Sequence, residues 1–300
     1  KTMSRFITIN ERKIEVEQKG ESGVPILILP GMGCSFEEWF EVTEILSKSN
    51  RIFMFHRPGS GESAIGEEKR TTTANAEEMK QLMDKLEIKI PVILVGHSYG
   101  GLCAQHFSKL YPDRVKAILL IDSTSEDLER LDELELPGLM GNTSNNWREL
   151  YQNYASMTEE QARKIIHPNL TENQKKLPLH IQKRLILFRQ KPNLYKAMLS
   201  EFEHFKLDAK TIKNLGTVGN IPLVAIGRDK NHVIQQGVGR GLPESELLML
   251  ESLWEQLIVE QGKLSNRSEV KFAKNSGHSI HLDRPDVVIS TLKELSEEGI

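Results

Sequence analysis

The stretch Pro91-Val92-Ile93-Leu94-Val95-Gly96-His97-Ser98-Tyr99-Gly100-Gly101 governs the reading of the whole chain. An apolar, β-branched run leads into it, and the helix-compatible Leu102-Cys103-Ala104-Gln105-His106-Phe107 follows. The pattern predicts a strand, a sharp turn and a helix, with Ser98 at the corner. Gly96 and Gly100 flank the serine two residues away on either side, where side chains would collide in so tight a turn. Glycine also tolerates backbone angles closed to other residues. A serine lifted clear of the backbone in this way is presented as a nucleophile.

Composition narrows the setting. Three hundred residues suit one large α/β domain, or a core carrying an inserted subdomain. Hydrophobic residues at 38% and charged residues at 27% are ordinary for a globular protein. A net charge of −3 argues against a nucleic-acid partner, which selects a concentrated basic face. Two cysteines, Cys34 and Cys103, provide no disulfide framework. The opening Lys1-Thr2-Met3-Ser4-Arg5 lacks the apolar core of a signal peptide. No apolar run reaches the length of about 18 residues that a membrane span requires. The expectation is a soluble, cytoplasmic protein.

Outward from the turn, apolar runs alternate with helical periodicity. Phe6–Ile9 and Lys13–Glu17 alternate as half-buried strands, whereas Pro25–Leu29 and Arg51–Phe55 are continuously apolar, as strands covered on both faces are. Ser35 is placed to cap a helix carrying Trp39, Phe40, Val42 and Ile45, and a helix is expected from Thr72 to Leu86. Val115–Ile121 is the next buried strand. Such alternation over short connections predicts a mostly parallel sheet with helices on both faces, and ligands bind such sheets at the carboxyl ends of the strands. The turn at Pro30–Gly33, Ser98 and Asp122 are expected to converge there.

From Thr124 to about Leu215 the strand pattern stops. Trp147, Leu150, Tyr151 and Tyr154 share a helical face, as do Leu194, Met198, Phe202 and Phe205. The expected organisation is a core formed by residues 1–123 and 216–300, with a helical cap inserted at 124–215. Strands resume at Pro222–Ile226 and Glu269–Ala273. A helix spanning Leu247 to Ile258 separates them, and a last helix runs from Pro285 to Leu295.

A serine hydroxyl needs a base to take its proton. His278, in Asn275-Ser276-Gly277-His278 after the last strand, is placed to reach back across the strand ends. His281 lies three residues on, but no third ligand accompanies the pair, so no metal site is expected. The base in turn needs a carboxylate to fix its tautomer. Asp122 and Asp229 both follow strands and both give the chain order Ser, Asp, His.

Four segments, in order, resemble the α/β-hydrolase fold enzymes. They are Leu29-Pro30-Gly31-Met32-Gly33, His56-Arg57-Pro58-Gly59-Ser60-Gly61-Glu62-Ser63, Val95-Gly96-His97-Ser98-Tyr99-Gly100-Gly101 and Ser276-Gly277-His278-Ser279-Ile280-His281-Leu282-Asp283-Arg284-Pro285. The resemblance covers nearly the whole chain. It implies Ser98 as nucleophile, His278 as base, and an oxyanion hole formed by the backbone N–H groups of Met32 and Tyr99.

Three departures from the family pattern stand out. Pro30-Gly31 replaces the usual His-Gly, which leaves the backbone donor intact. His56 stands where an aspartate is common. Asn231 occupies the family's usual acid position, with Asp229 two residues earlier, while some members take the acid from the strand end that Asp122 occupies. Asp122 is therefore the favoured acid and Asp229 the alternative. A serine rather than an aspartate nucleophile disfavours dehalogenase and epoxide-hydrolase chemistry. The implied activity is hydrolysis of a carboxylic ester with a small or medium apolar acyl group, through an acyl-enzyme and without a cofactor. Lactonase, thioesterase, amidase or carbon–carbon bond hydrolase activity suits the same triad, as does a slow-turnover ligand-binding or signalling protein.

Overall fold

The computed structural model describes residues 2–141 and 146–298. Among them eight strands are formed, β1 (Thr2–Ile9), β2 (Arg12–Lys19), β3 (Pro25–Leu29), β4 (Arg51–Phe55), β5 (Val92–His97), β6 (Val115–Ile121), β7 (Leu223–Gly227) and β8 (Ser268–Phe272). They join in one sheet in the order β1-β2-β4-β3-β5-β6-β7-β8. The β1–β2 and β2–β4 pairings are antiparallel, and every later pairing is parallel. β3 and β5, at the centre, are buried along their whole length, as their unbroken apolar runs require.

Helices α1 (Phe40–Leu46), α2 (Thr72–Lys85) and α3 (Tyr99–Leu110) connect the first strands. Between β6 and β7 the described residues form only helices and helical turns, with α4 (Pro137–Met140), α5 (Asn146–Ser156), α6 (Glu159–Ile165), α7 (Leu179–Arg189) and α8 (Pro192–Asn214). Residues 142–145 of the expected insertion lie outside the described residues. After β7 come α9 (Lys230–Gly239) and α10 (Glu244–Gln261), and after β8 come α11 (Ile280–Asp283) and α12 (Pro285–Glu297).

The period-two alternation of the strands splits the core into two layers. Leu27, Phe53 and Leu94 pack with Met79, Leu82 and Phe107 of α2 and α3. Ile28, Met54 and Ile93 pack with Trp39, Val42 and Leu292 on the opposite face. This is the α/β-hydrolase fold, a mostly parallel sheet flanked by helices.

Local differences from the sequence reading have physical causes. Ser35 caps a single helical turn, Phe36–Trp39, with its hydroxyl accepting from the Glu37 N–H, and α1 begins only after that turn. Helix α9 is too rich in glycine, at 237 and 239, to show clear periodicity in the sequence. On α5 no residue is fully buried, and Leu150 is exposed while Trp147 and Tyr151 are half-buried.

Close packing leaves no room for a side chain at the glycines of the turn after β5. A Cβ on Gly96 would lie 2.4 Å from the Gly100 carbonyl oxygen, and one on Gly100 would lie 2.2 Å from that of Leu29. These neighbours are backbone and cannot swing aside. Gly100→Ala should therefore cost at least about 2 kcal/mol of stability. Gly239→Ala, where a Cβ meets nothing within 4 Å, should be neutral or stabilising. Thermal melts of the two variants beside the parent check this, and equal melting temperatures for both would contradict it.

Candidate active site

Ser98 sits between β5 and α3 at φ 54°, ψ −122°, a conformation that costs an L residue energy and persists only when its surroundings hold it. Three backbone hydrogen bonds do so. The Ser98 N–H donates to Ile121 O at 3.1 Å, and the Ser98 carbonyl accepts from Thr124 N at 3.1 Å and Gly101 N at 2.9 Å. The side chain is half-exposed.

Two segments adjoin it, each with a backbone N–H that is unpaired among the described residues. Tyr99 opens α3, so its N–H has no partner within the helix. Met32 lies in the turn after β3, which the Cys34 N–H closes on Gly31 O at 3.1 Å. That turn presses on the serine, because a Cβ on Gly31 would fall 3.2 Å from Ser98 Cβ. Among the described residues neither the Met32 nor the Tyr99 N–H has a hydrogen-bond partner.

His278 follows β8, is half-exposed, and its Nδ1 lies 2.6 Å from Asp122 Oδ2. Nδ1–H donates to the carboxylate, which leaves Nε2 free to accept a proton. His97, within the turn itself, donates from Nε2 to the His278 carbonyl at 3.0 Å. Burial, followed by its neighbours His281 and His278, pushes the His97 pKa well below the ordinary value, so the ring is neutral and serves as a fixed donor. The structure thus brings His278 to Asp122. Among the described residues it closes no hydrogen bond between His278 and the Ser98 hydroxyl.

Asp122 is entirely buried yet fully satisfied. Its Oδ1 accepts from Trp254 Nε1 at 2.8 Å and from the Arg228 N–H at 3.1 Å. Its Oδ2 accepts from His278 and, at 3.4 Å, from Arg228 Nη1. Burial alone would raise its pKa, but the hydrogen bond and charge of His278, with Arg228 and Trp254, outweigh burial and lower it. Arg228 is itself gripped by Glu251 at 2.8 and 2.7 Å and lies over the Trp254 ring.

Asp229 is engaged elsewhere. One oxygen caps α9 by accepting from His232 N at 3.2 Å, and the other accepts from Asn275 N at 2.8 Å. Asn231 is exposed in the first turn of α9. His56 stacks on Phe36 at 3.7 Å, accepts the Phe36 N–H at Nε2 and donates from Nδ1 to Glu15 at 2.6 Å. His281 is buried against Trp39 with Nε2 3.1 Å from Glu38. No cluster among the described residues could hold a metal ion, and no helix is long and apolar enough to cross a membrane. Burial raises both thiol pKa values, that of Cys103 to about 12.

Sequence reasoning missed Trp254 and Arg228. Trp254 read as one more apolar residue on α10, and nothing in a one-dimensional pattern shows that its N–H turns toward a carboxylate 132 positions earlier. Arg228 adjoins Asp229, the alternative acid, and nothing in the local pattern shows that its N–H and guanidinium reach Asp122.

A family model described as alpha/beta hydrolase fold matches residues 24–170. The uncharacterized protein YqjL of Bacillus subtilis (strain 168) is 23% identical over 271 residues, covering 90% of this chain and 83% of that protein. A 2-hydroxy-6-oxo-6-phenylhexa-2,4-dienoate hydrolase of Burkholderia cepacia is 22% identical over 287 residues, covering 91% and 97%. Among solved structures, a Vigna radiata epoxide hydrolase mutant matches with a TM-score of 0.72 at 17% identity over 99% of both chains.

The depressed Asp122 pKa has a consequence for acid stability. The carboxylate's contribution is complete above the ordinary value of 3.8 and is lost as pH falls through the lower folded value. In Asp122→Asn that term is gone. Melting temperature should then fall less steeply with pH below 3.8 than in the parent, and an unchanged slope would contradict the assignment.

Proposed function

Because the chain belongs to the α/β-hydrolase fold family, we propose that it is a serine hydrolase of carboxylic esters, with Ser98 as nucleophile, His278 as base and Asp122 as acid. The observation that carries this reading is the 2.6 Å contact between His278 Nδ1 and Asp122 beside a serine held at positive φ. The Ser98–His278 bond is one that commonly tightens only with substrate in place.

Ser98 Oγ attacks the acyl carbon while its proton passes to His278 Nε2. The carbonyl electron pair moves onto oxygen, and the Met32 and Tyr99 N–H groups receive that charge, at about 3 kcal/mol per donor. Collapse restores the carbonyl and breaks the bond to the leaving alcohol, which takes the proton from His278. Water then attacks the acyl-serine, gives its proton to His278, and the acid leaves as Ser98 regains its hydrogen.

The helical segment 124–215 acts in this reading as a cap over the strand ends. Support comes from α8, whose Met198 side chain abuts Gly33 and whose Ala197 abuts Gly59, in the loops after β3 and β4. Met198 belongs to an apolar face that continues through Phe202 and Phe205, and Trp147 packs on Phe202 at 4.7 Å. Such a face suits a small or medium apolar acyl group. The dienoate hydrolase relative supports a second reading, in which the same groups act on a keto acid.

A panel of p-nitrophenyl esters of increasing chain length, with that dienoate beside it, tests both. Ester turnover should be lost in Ser98→Ala and fall by about 10⁴-fold in Asp122→Asn. Asp229→Asn should stay near the parent rate, because asparagine also caps helices. Loss of turnover at Asp229→Asn alone would overturn the acid assignment, and turnover of the dienoate without any ester would favour the second reading.

A further inference from the structure

Arg57, in the loop after β4, is buried, and its guanidinium is spent on the turn that carries Met32. Nη1 donates to Pro30 O at 2.7 Å and Nη2 to Gly31 O at 3.3 Å. The guanidinium carbon lies 5.0 Å from the centre of the Tyr99 ring. One cation therefore contacts both segments that carry the two backbone donors. The charge that balances it comes from far along the chain. Glu201 of α8, also buried, accepts from Arg57 Nε at 2.5 Å and from Nη2 at 3.3 Å.

The geometry of the peptide unit gives this contact its meaning. In a trans peptide the C=O and the following N–H point in opposite directions within one plane. Holding Gly31 O on one side thus fixes the Met32 N–H on the other, in a turn whose Gly31 lies against Ser98. We propose that Arg57 is a positioning residue for the Met32 oxyanion donor, and that Glu201 ties this positioning to helix α8. The inference rests on the serine-hydrolase reading and deepens it, since it makes the helical segment part of the charge-stabilising machinery as well as a pocket wall. Polarisation of the Gly31 carbonyl by a buried cation also strengthens the N–H of the same peptide as a donor.

A buried ion pair that merely fastens α8 to the sheet would look similar, so the test separates the two roles. Replacing a buried pair by apolar residues of similar volume often preserves stability, whereas removing one partner strands a charge. Arg57→Met/Glu201→Leu should therefore melt near the parent, and the single Arg57→Met well below it. If Arg57 positions the donor, the double variant still loses about 10²-fold in kcat at nearly constant KM. Its affinity for a trifluoromethyl ketone, which forms a tetrahedral oxyanion on the serine, should fall by the same factor. A rate that returns with the stability, or an unchanged ketone affinity, would overturn the proposal.

A readout that needs no turnover keeps the inference separate from the serine-hydrolase reading. In protein labelled with ¹⁵N-methionine, the Met32 amide cross-peak, assigned by Met32→Leu, should shift or broaden in the double variant. An unmoved Met32 peak would overturn the positioning role even if the chain hydrolysed no ester. Conversely, a moved peak in a protein inert to esters and ketones would refute the hydrolase reading and leave Arg57 as the group that orients this amide.

Discussion

A single buried carboxylate organises the end of the sheet where Ser98 and His278 lie. Asp122 has no solvent access, so its charge is tolerable only if the protein supplies every donor. The donors come from three separate places in the chain, namely the loop after β8, the residue after β7, and α10. Each of these segments is fixed relative to β6 by the need to reach the same two oxygen atoms. The orientation of the His278 ring follows from that requirement.

The second constraint is steric. At the turn after β5 the backbone of α3 packs against the carbonyls of β3 so closely that no Cβ fits at Gly100. The same closeness brings the turn after β3 against Ser98, since a Cβ on Gly31 would fall 3.2 Å from Ser98 Cβ. Behind that turn lies the buried Arg57–Glu201 pair, with Arg57 donating to the Pro30 carbonyl at 2.7 Å. In the proposed reading, donors to a developing charge need to be in place beforehand.

Much of the fold was legible because its signals are local. The runs Pro25–Leu29, Arg51–Phe55 and Val115–Ile121 form strands with those bounds, since a strand covered on both faces has no choice but continuous apolarity. The placement of Ser98 on a strand-to-helix turn and of His278 in the loop after β8 was equally legible, the first from glycines two residues to either side and the second from Gly277 beside it. What the sequence left open depends on contacts between distant residues. Asp122 and Asp229 both end strands, and only the third dimension shows one facing His278 and the other capping α9. Trp254 reads as core because its periodicity is that of an apolar helix, and Glu201 reads as a solvated charge until α8 is laid on the sheet.

The account depends on Ser98 being a reactive nucleophile. Intact-protein mass spectrometry after exposure to a fluorophosphonate measures this directly. The account predicts one adduct per chain, on Ser98, absent in Ser98→Ala and formed far more slowly in His278→Ala. A parent protein that stays unlabelled, or carries the adduct on another residue, would contradict it.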